Sequence, residues 1–458
     1  MASITQQIDM TYGSCRQKIV AFAIPMLIGN VAQQLYNTAD SVIVGKFIGD
    51  NALAAVGSAG PIMNLLFVLI IGISTGAGIV VAKYFGARQQ DDLARSIGAC
   101  IFVTAAASLF IMCMTPFVIR PMLKLVNTPP SVLDWCAQYL TIVFLGIAGN
   151  AFYFILGAIL RGLGDSFSAL VYLFTATVIN TVLDYIFVAH VGLGVPGVAF
   201  ATIIAQFISA ILSLRKLMHM DCFTFKKEML KPNMKYIREL IRVGLPSGLT
   251  QVIFSMSSVV VQSLINSFGE MFIAANVIVM RIDGFVMMPT FSFGSAMTTF
   301  AAQNVGAAKM DRVEQGAREG TMVAVGTSIV LVSLIFLFGK PLMHIFTSTE
   351  ELVQLSYSML KILMIGYVAM AYTQSISGVM RGAGDTVTPM IISMVTTILI
   401  RVPLAYLISW MTRTPGLPNG SSSCIFISLL ISWVLGAAMT AFAFRRGKWK
   451  KKAFGSLN

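Results

Sequence analysis

Four polar side chains near the start of the chain, Gln33, Tyr36, Asn37 and Asp40, fall at i, i+3, i+4 and i+7. That is the spacing of one helix face. Asn180 and Asp184 stand at i and i+4, and so do Thr202 and Gln206. Each set lies in an otherwise apolar run. A carboxylate in such surroundings is costly, and its presence is a functional hypothesis by default. Acids facing a low-dielectric pocket can exchange a proton near neutral pH. With Asn and Thr oxygens they can also hold a small hard cation. The competing reading, polar groups that only glue helices together, suits an isolated Asn or Thr better than two embedded acids with aligned amides. All three sets belong to the first half of the chain, which points to one shared polar pocket there.

The second half carries different charges. Arg281 and Asp283 share one apolar run and Arg401 lies in another. A buried Asp283–Arg401 pair is the plain expectation. The three histidines (His190, His219, His344) fall at the ends of apolar runs, and the six cysteines are scattered with no C-x-x-C spacing. No nucleophile–base set and no metal set emerges, so neither an enzyme nor a metal site is expected.

These residues need elements to hold them. The chain has 458 residues, of which 57% are hydrophobic and 11% charged, with mean hydropathy +0.82. Soluble proteins carry about 25% charged residues. So few charges cannot cover a water-facing surface of this size, and the chain is expected in a membrane. Twelve apolar runs of bilayer length occur between residues 19 and 444; in lipid they must be helices. The first eighteen residues are polar, and no removable leader is expected.

Alternating the twelve spans puts 24 of the Lys and Arg residues on the side of the termini and 6 on the other. The excess marks the cytoplasmic side, so both termini are expected in the cytoplasm of a cell with a plasma (inner) membrane. The net charge of +13 is then an orientation signal, and no nucleic-acid partner is expected.

The chain also repeats itself 220 residues on. Arg161-Gly-Leu-Gly-Asp165-Ser answers Arg381-Gly-Ala-Gly-Asp385-Thr, Gly146 answers Gly366, and Pro25 has a near counterpart in Pro246. These glycine-rich loops lack the Lys-Ser/Thr of a phosphate-binding loop; glycine ending one span and Asp capping the next is the expected role. Duplication of a six-span unit gives the fold class: an all-α integral membrane protein with twelve transmembrane helices. They form two six-helix lobes related by a pseudo-twofold along the membrane normal. The expected divisions are an N-terminal lobe over 1–218, a cytoplasmic linker over 219–242, and a C-terminal lobe over 243–458 with a basic tail. Pro25 removes a backbone hydrogen bond from the first span and is the candidate hinge.

Twelve spans in two lobes, with Gln33-Gln-Leu-Tyr-Asn-Thr-Ala-Asp40-Ser in the first, Asn180-Thr-Val-Leu-Asp184-Tyr in the fifth and the paired Arg-Gly-x-Gly-Asp loops, resemble multidrug and toxic compound extrusion (MATE) transporters. The resemblance covers about 15 to 445 and is to the DinF-like branch. It implies proton or cation coupling at Asp40, Asn180, Asp184 and Thr202, and a substrate cavity lined by Gln33, Tyr36, Asn37 and Tyr139. The implied function is secondary active antiport of H⁺ or Na⁺ against amphipathic, often cationic compounds by rocker-switch alternating access. No cofactor beyond the coupling ion is implied; the partners are small-molecule drugs and membrane lipid, and a monomer is expected. The NorM-like branch carries an acid in the seventh span, where the nearest polar residue here is Gln251. A lipid or lipid-linked-oligosaccharide flippase of related fold is the rival reading. Such cavities need several cations for pyrophosphate, and the spans hold only Arg281 and Arg401.

Overall fold

The computed structural model describes residues 7–48, 50–125, 128, 130–222 and 231–455. Within the helices a few side chains lie outside that description, those of Asn37 and Asp40 among them. The described residues are helical almost throughout. In chain order the helices are α1 (Cys15–Phe47), α2 (Asp50–Gly86), α3 (Gln90–Leu125), α4 (Pro130–Leu145), α5 (Ile147–Gly162), α6 (Ser166–Tyr185) and α7 (Gly194–Met218). They continue as α8 (Met234–Asn266), α9 (Glu270–Gly306), α10 (Met310–His344), α11 (Glu350–Gly382), α12 (Val387–Met394), α13 (Val402–Met411), α14 (Cys424–Arg445) and α15 (Lys448–Gly455). Among the described residues eleven segments are long and apolar enough to cross a membrane, and α4 with α5, bent by 53° at Gly146, makes a twelfth when taken as one span. Large apolar side chains face outward, as Leu109 (62% exposed), Phe110 (64%) and Phe117 (73%) do on α3. Exposed apolar surface of this extent belongs in lipid.

The duplicated loops have one local chemistry. Gly164 and Gly384 adopt φ of +88° and +86°, values that glycine takes without strain. Asp165 accepts from the Ser168 N–H at 2.8 Å and from its hydroxyl at 2.7 Å. Asp385 treats Thr388 alike, at 3.2 and 2.7 Å. Each aspartate thus caps the helix that follows, as the sequence implied. The repeat also reaches backbone no motif marks: Arg88 and Ala308, 220 residues apart, both hold positive φ, +57° and +56°.

The chain divides into two compact units. One comprises Met1–Asp9 and Ile24–Gly248; the other comprises Met10–Ala23 and Leu249–Asn458. In the first, α2 carries Gly72 and Gly76 against Gly244 and Gly248 of α8. A Cβ added to Gly76 would stand 2.8 Å from the Gly244 Cα, and one on Gly72 would stand 2.9 Å from the Gly248 Cα. Small residues four apart on both partners let the two backbones touch. At the same end Lys83 meets Glu239 at 2.8 Å, and Glu239 also accepts from the Tyr84 hydroxyl at 2.8 Å. The start of α8 is therefore fastened into the first unit.

The second unit holds the start of the chain in the same manner. The Met10 carbonyl accepts from Asn304 Nδ2 and from Arg312 Nε and Nη2, each at 3.1 Å, and the Met10 N–H donates to Gln303 at 2.9 Å. Lys309 donates to the Thr11 carbonyl at 2.8 Å. The linker expected over 219–242 is partly helical, since α8 begins at Met234; residues 223–230 lie outside the described set.

Candidate functional site

Asn180 and Asp184 sit one turn apart on α6 and point the same way, as their spacing requires. Thr202 reaches them from α7, against which α6 packs. All three are withdrawn from the surface, with 1% of Asn180, none of Asp184 and 7% of Thr202 exposed. The α6 helix then loosens into a π-helical turn over Ile186–His190, two residues past Asp184. Wider turns of this kind recur at functional positions in helices. The Tyr185 ring is held edge-on between Phe47 (5.7 Å) and His190 (5.1 Å).

The hydrogen-bonding groups around the Asn180 amide decide its orientation. Its nitrogen lies toward the acid, where Nδ2 donates to Asp184 Oδ2 at 2.9 Å, and its oxygen accepts from the Thr202 N–H at 3.2 Å and hydroxyl at 3.3 Å. The opposite orientation would set the amide nitrogen against the Thr202 N–H, donor against donor. An ionised carboxylate accepts the Asn180 bond with either oxygen. The Thr202 hydroxyl also lies 3.0 Å from the Val198 carbonyl.

Other residues singled out from sequence are placed as follows. Gln33 and Tyr36 are half-buried on α1; Asn37 and Asp40 belong to that helix, but their side chains are among those not described. Tyr139 is 4% exposed, in an apolar cluster with Leu140, Val143 and Val198. Pro25 is buried in α1, which continues through it without a break. Asp283, on α9, and Arg401, at the end of a π-helical stretch over Val395–Arg401, act on one another through charge. Yet among the described residues Asp283 Oδ1 and Arg401 Nε have no hydrogen-bond partner. Sequence spacing missed Tyr367 of α11, 1% exposed, whose hydroxyl lies beside Asp283. A lone tyrosine in an apolar run gives no sign of which acid it will meet. Among the described residues no group of three His, Cys, Asp or Glu is placed to hold a metal.

The MatE family profile matches the chain twice, over residues 25–186 and 246–407. The chain belongs to the MatE family. The two matches open on Pro25 and Pro246 and carry the duplication seen in sequence. Asp184 lies inside the first match, and both Asp283 and Arg401 lie inside the second. A probable multidrug resistance protein, YoeA of Bacillus subtilis, is 30% identical over 446 residues, covering 95% of this chain and 94% of its own length. The probable multidrug resistance protein NorM of Thermotoga maritima is 24% identical, covering 96% of this chain and 94% of its own length. In fold, the outward-facing form of a multidrug resistance MATE transporter of the MOP superfamily matches with a TM-score of 0.89 at 23% identity, covering 98% of this chain and 99% of that one. This MatE chain is thus an integral membrane protein of a multidrug efflux transporter family, and that family is not enzymatic.

Proposed function

We propose that this MatE chain is a secondary active antiporter that expels amphipathic, often cationic compounds in exchange for H⁺ or Na⁺. The observation that carries the reading is the fully buried Asp184, joined to Asn180 and Thr202 inside an apolar helical unit. A charge there has no stabilising role that an apolar residue could not fill better, and its retention is explained by use. By its spacing in the sequence, Asp40 is assigned to the same site in this reading, together with Gln33, Tyr36 and Asn37.

In this mechanism Asp184 and Asp40 take up the ion from the outer side. Neutralising Asp184 weakens the bond it accepts from Asn180, the residue that links it to Thr202 on α7. Repacking of α1 around Pro25 then shrinks the substrate cavity and releases the drug. Residues Met10–Ala23 group with one unit and Ile24–Gly248 with the other, so Pro25 lies next to the point where the chain passes from one unit to the other. The lobes rock, the ion leaves to the cytoplasm, and the cycle restarts. Coupling requires only that ion and drug prefer different states. The excess of Lys and Arg on the side of the termini supports cytoplasmic termini.

The reading is tested by equilibrium binding of a fluorescent lipophilic cation to purified protein across pH and Na⁺ series. Wild type should release the cation as one of the two ions rises. Asp184→Asn should bind it with no such dependence. An unchanged dependence in Asp184→Asn removes this site from the coupling.

A further inference from the structure

A groove of about 500 Å³ runs along the second unit between α10, α11 and α14. Val325, Val332, Met364, Val368 and Val434 line it, with Tyr372 the only lining residue that carries a polar side-chain atom. Its walls face outward, with Ile365 69% and Val434 42% exposed. From Val434 the helix α14 climbs eleven residues to Arg445, about 16 Å at 1.5 Å per residue. That matches half of a hydrocarbon core roughly 30 Å thick, so Arg445 stands about one leaflet's depth along α14 from the groove's Val434.

Cations stand at its end. Arg445 is exposed and near enough for its charge to act on the Tyr372 hydroxyl; Arg446, also exposed, lies over the Phe442 ring at 5.5 Å. Nearby lysines are already engaged: Lys450 pairs with Glu314, and Lys452 pairs with the buried Asp385 at 2.6 Å. Among the described residues neither Arg445 nor Arg446 has a carboxylate within 4.0 Å. At the matching place in the first unit Ala369 is answered by Gly149, and the Phe207 ring stands 2.6 Å from where a Cβ would be.

We infer that this groove is a binding site for one anionic phospholipid, with an acyl chain laid along α11 and α14 and the phosphate at Arg445 and Arg446. Arginine offers forked donors to phosphate oxygens, and the apolar walls accept the chain. The site is independent of ion coupling and requires no ion at Asp184.

Trp433 provides the reporter, since it precedes Val434 and packs 2.5 Å from where a Gly366 Cβ would stand. The full chain, with Trp135, Trp410 and Trp449 changed to Phe so that Trp433 alone remains, is reconstituted in vesicles containing phosphatidylglycerol or phosphatidylcholine with dibrominated acyl chains. Tryptophan quenching then gives the relative affinity. The anionic lipid should be preferred about fivefold for each cation engaged. Arg445→Gln with Arg446→Gln should bring the ratio to one, and Ala369→Leu should weaken quenching by both lipids by filling the groove. Equal quenching by the two lipids before the arginines are changed, or a preference that survives their loss, means annular lipid only and overturns the inference.

Discussion

Gly76→Ala is the substitution whose cost the structure sets most directly. The added methyl would meet the Gly244 Cα and the Leu240 carbonyl oxygen at 2.8 Å, and the Gly244 nitrogen at 2.9 Å. All three are backbone atoms, so no rotamer change relieves the contact. α2 and α8 must move apart instead, and the Lys83–Glu239 and Tyr84–Glu239 bonds beyond the contact are disturbed with them. Overpacking of this kind costs about 1–3 kcal/mol, against which alanine recovers roughly 0.5–1 kcal/mol of helix propensity. The net loss is about 1–2 kcal/mol, a fall in melting temperature of about 2–8 °C for a cooperative unit of this size. Gly326→Ala on α10 is the control, because nothing stands within 4 Å of its Cβ position; it should raise the melting temperature slightly. Thermal unfolding of both variants in one detergent, followed by intrinsic fluorescence, checks the pair. A Gly76→Ala protein that melts at or above wild type would refute the backbone contact as drawn.

Thr202→Val removes the hydroxyl 3.3 Å from Asn180, a loss of about 1 kcal/mol; the ion concentration giving half-maximal drug release should rise about fivefold. Asp385→Ala should destabilise by about 2 kcal/mol, because it removes both a helix cap and the buried partner of Lys452. Asp165→Ala should cost less, its Lys216 standing 3.8 Å away against 2.6 Å for Lys452; thermal unfolding compares the two. Burial pushes the Cys222 thiol above its ordinary value of 9.0. In a variant retaining only that cysteine, maleimide labelling at pH 7.5 should be slower than for a small free thiol and should still be rising at pH 9.

The fold was legible wherever one local cause decides it. Spans follow from the hydropathy of runs too long for anything but helices, and the Arg-Gly-x-Gly-Asp loops from glycine at positive φ and aspartate at a cap. The bend at Gly146 was not legible, because both arms are equally apolar. The glycine does not decide it either: Ile203 packs where a Gly146 Cβ would stand, but Trp433 does the same at Gly366, its counterpart within an unbroken α11. Nor does hydropathy say which unit a helix start joins: the anchoring of Met10 by Gln303 and Arg312 is a matter of tertiary contact. At the candidate site, spacing brought Asn180 and Asp184 to one face, but the π-helical turn beyond them and the meeting of Tyr367 with Asp283 arise from packing between helices.

The central claim is that Asp184 couples an ion gradient to drug export. Transport of a lipophilic cation by proteoliposomes under an imposed pH or Na⁺ gradient tests it most directly. One gradient should drive accumulation by wild type, and Asp184→Asn, folded and inserted to the same level, should lose that drive. Full gradient-driven transport by Asp184→Asn would contradict the account.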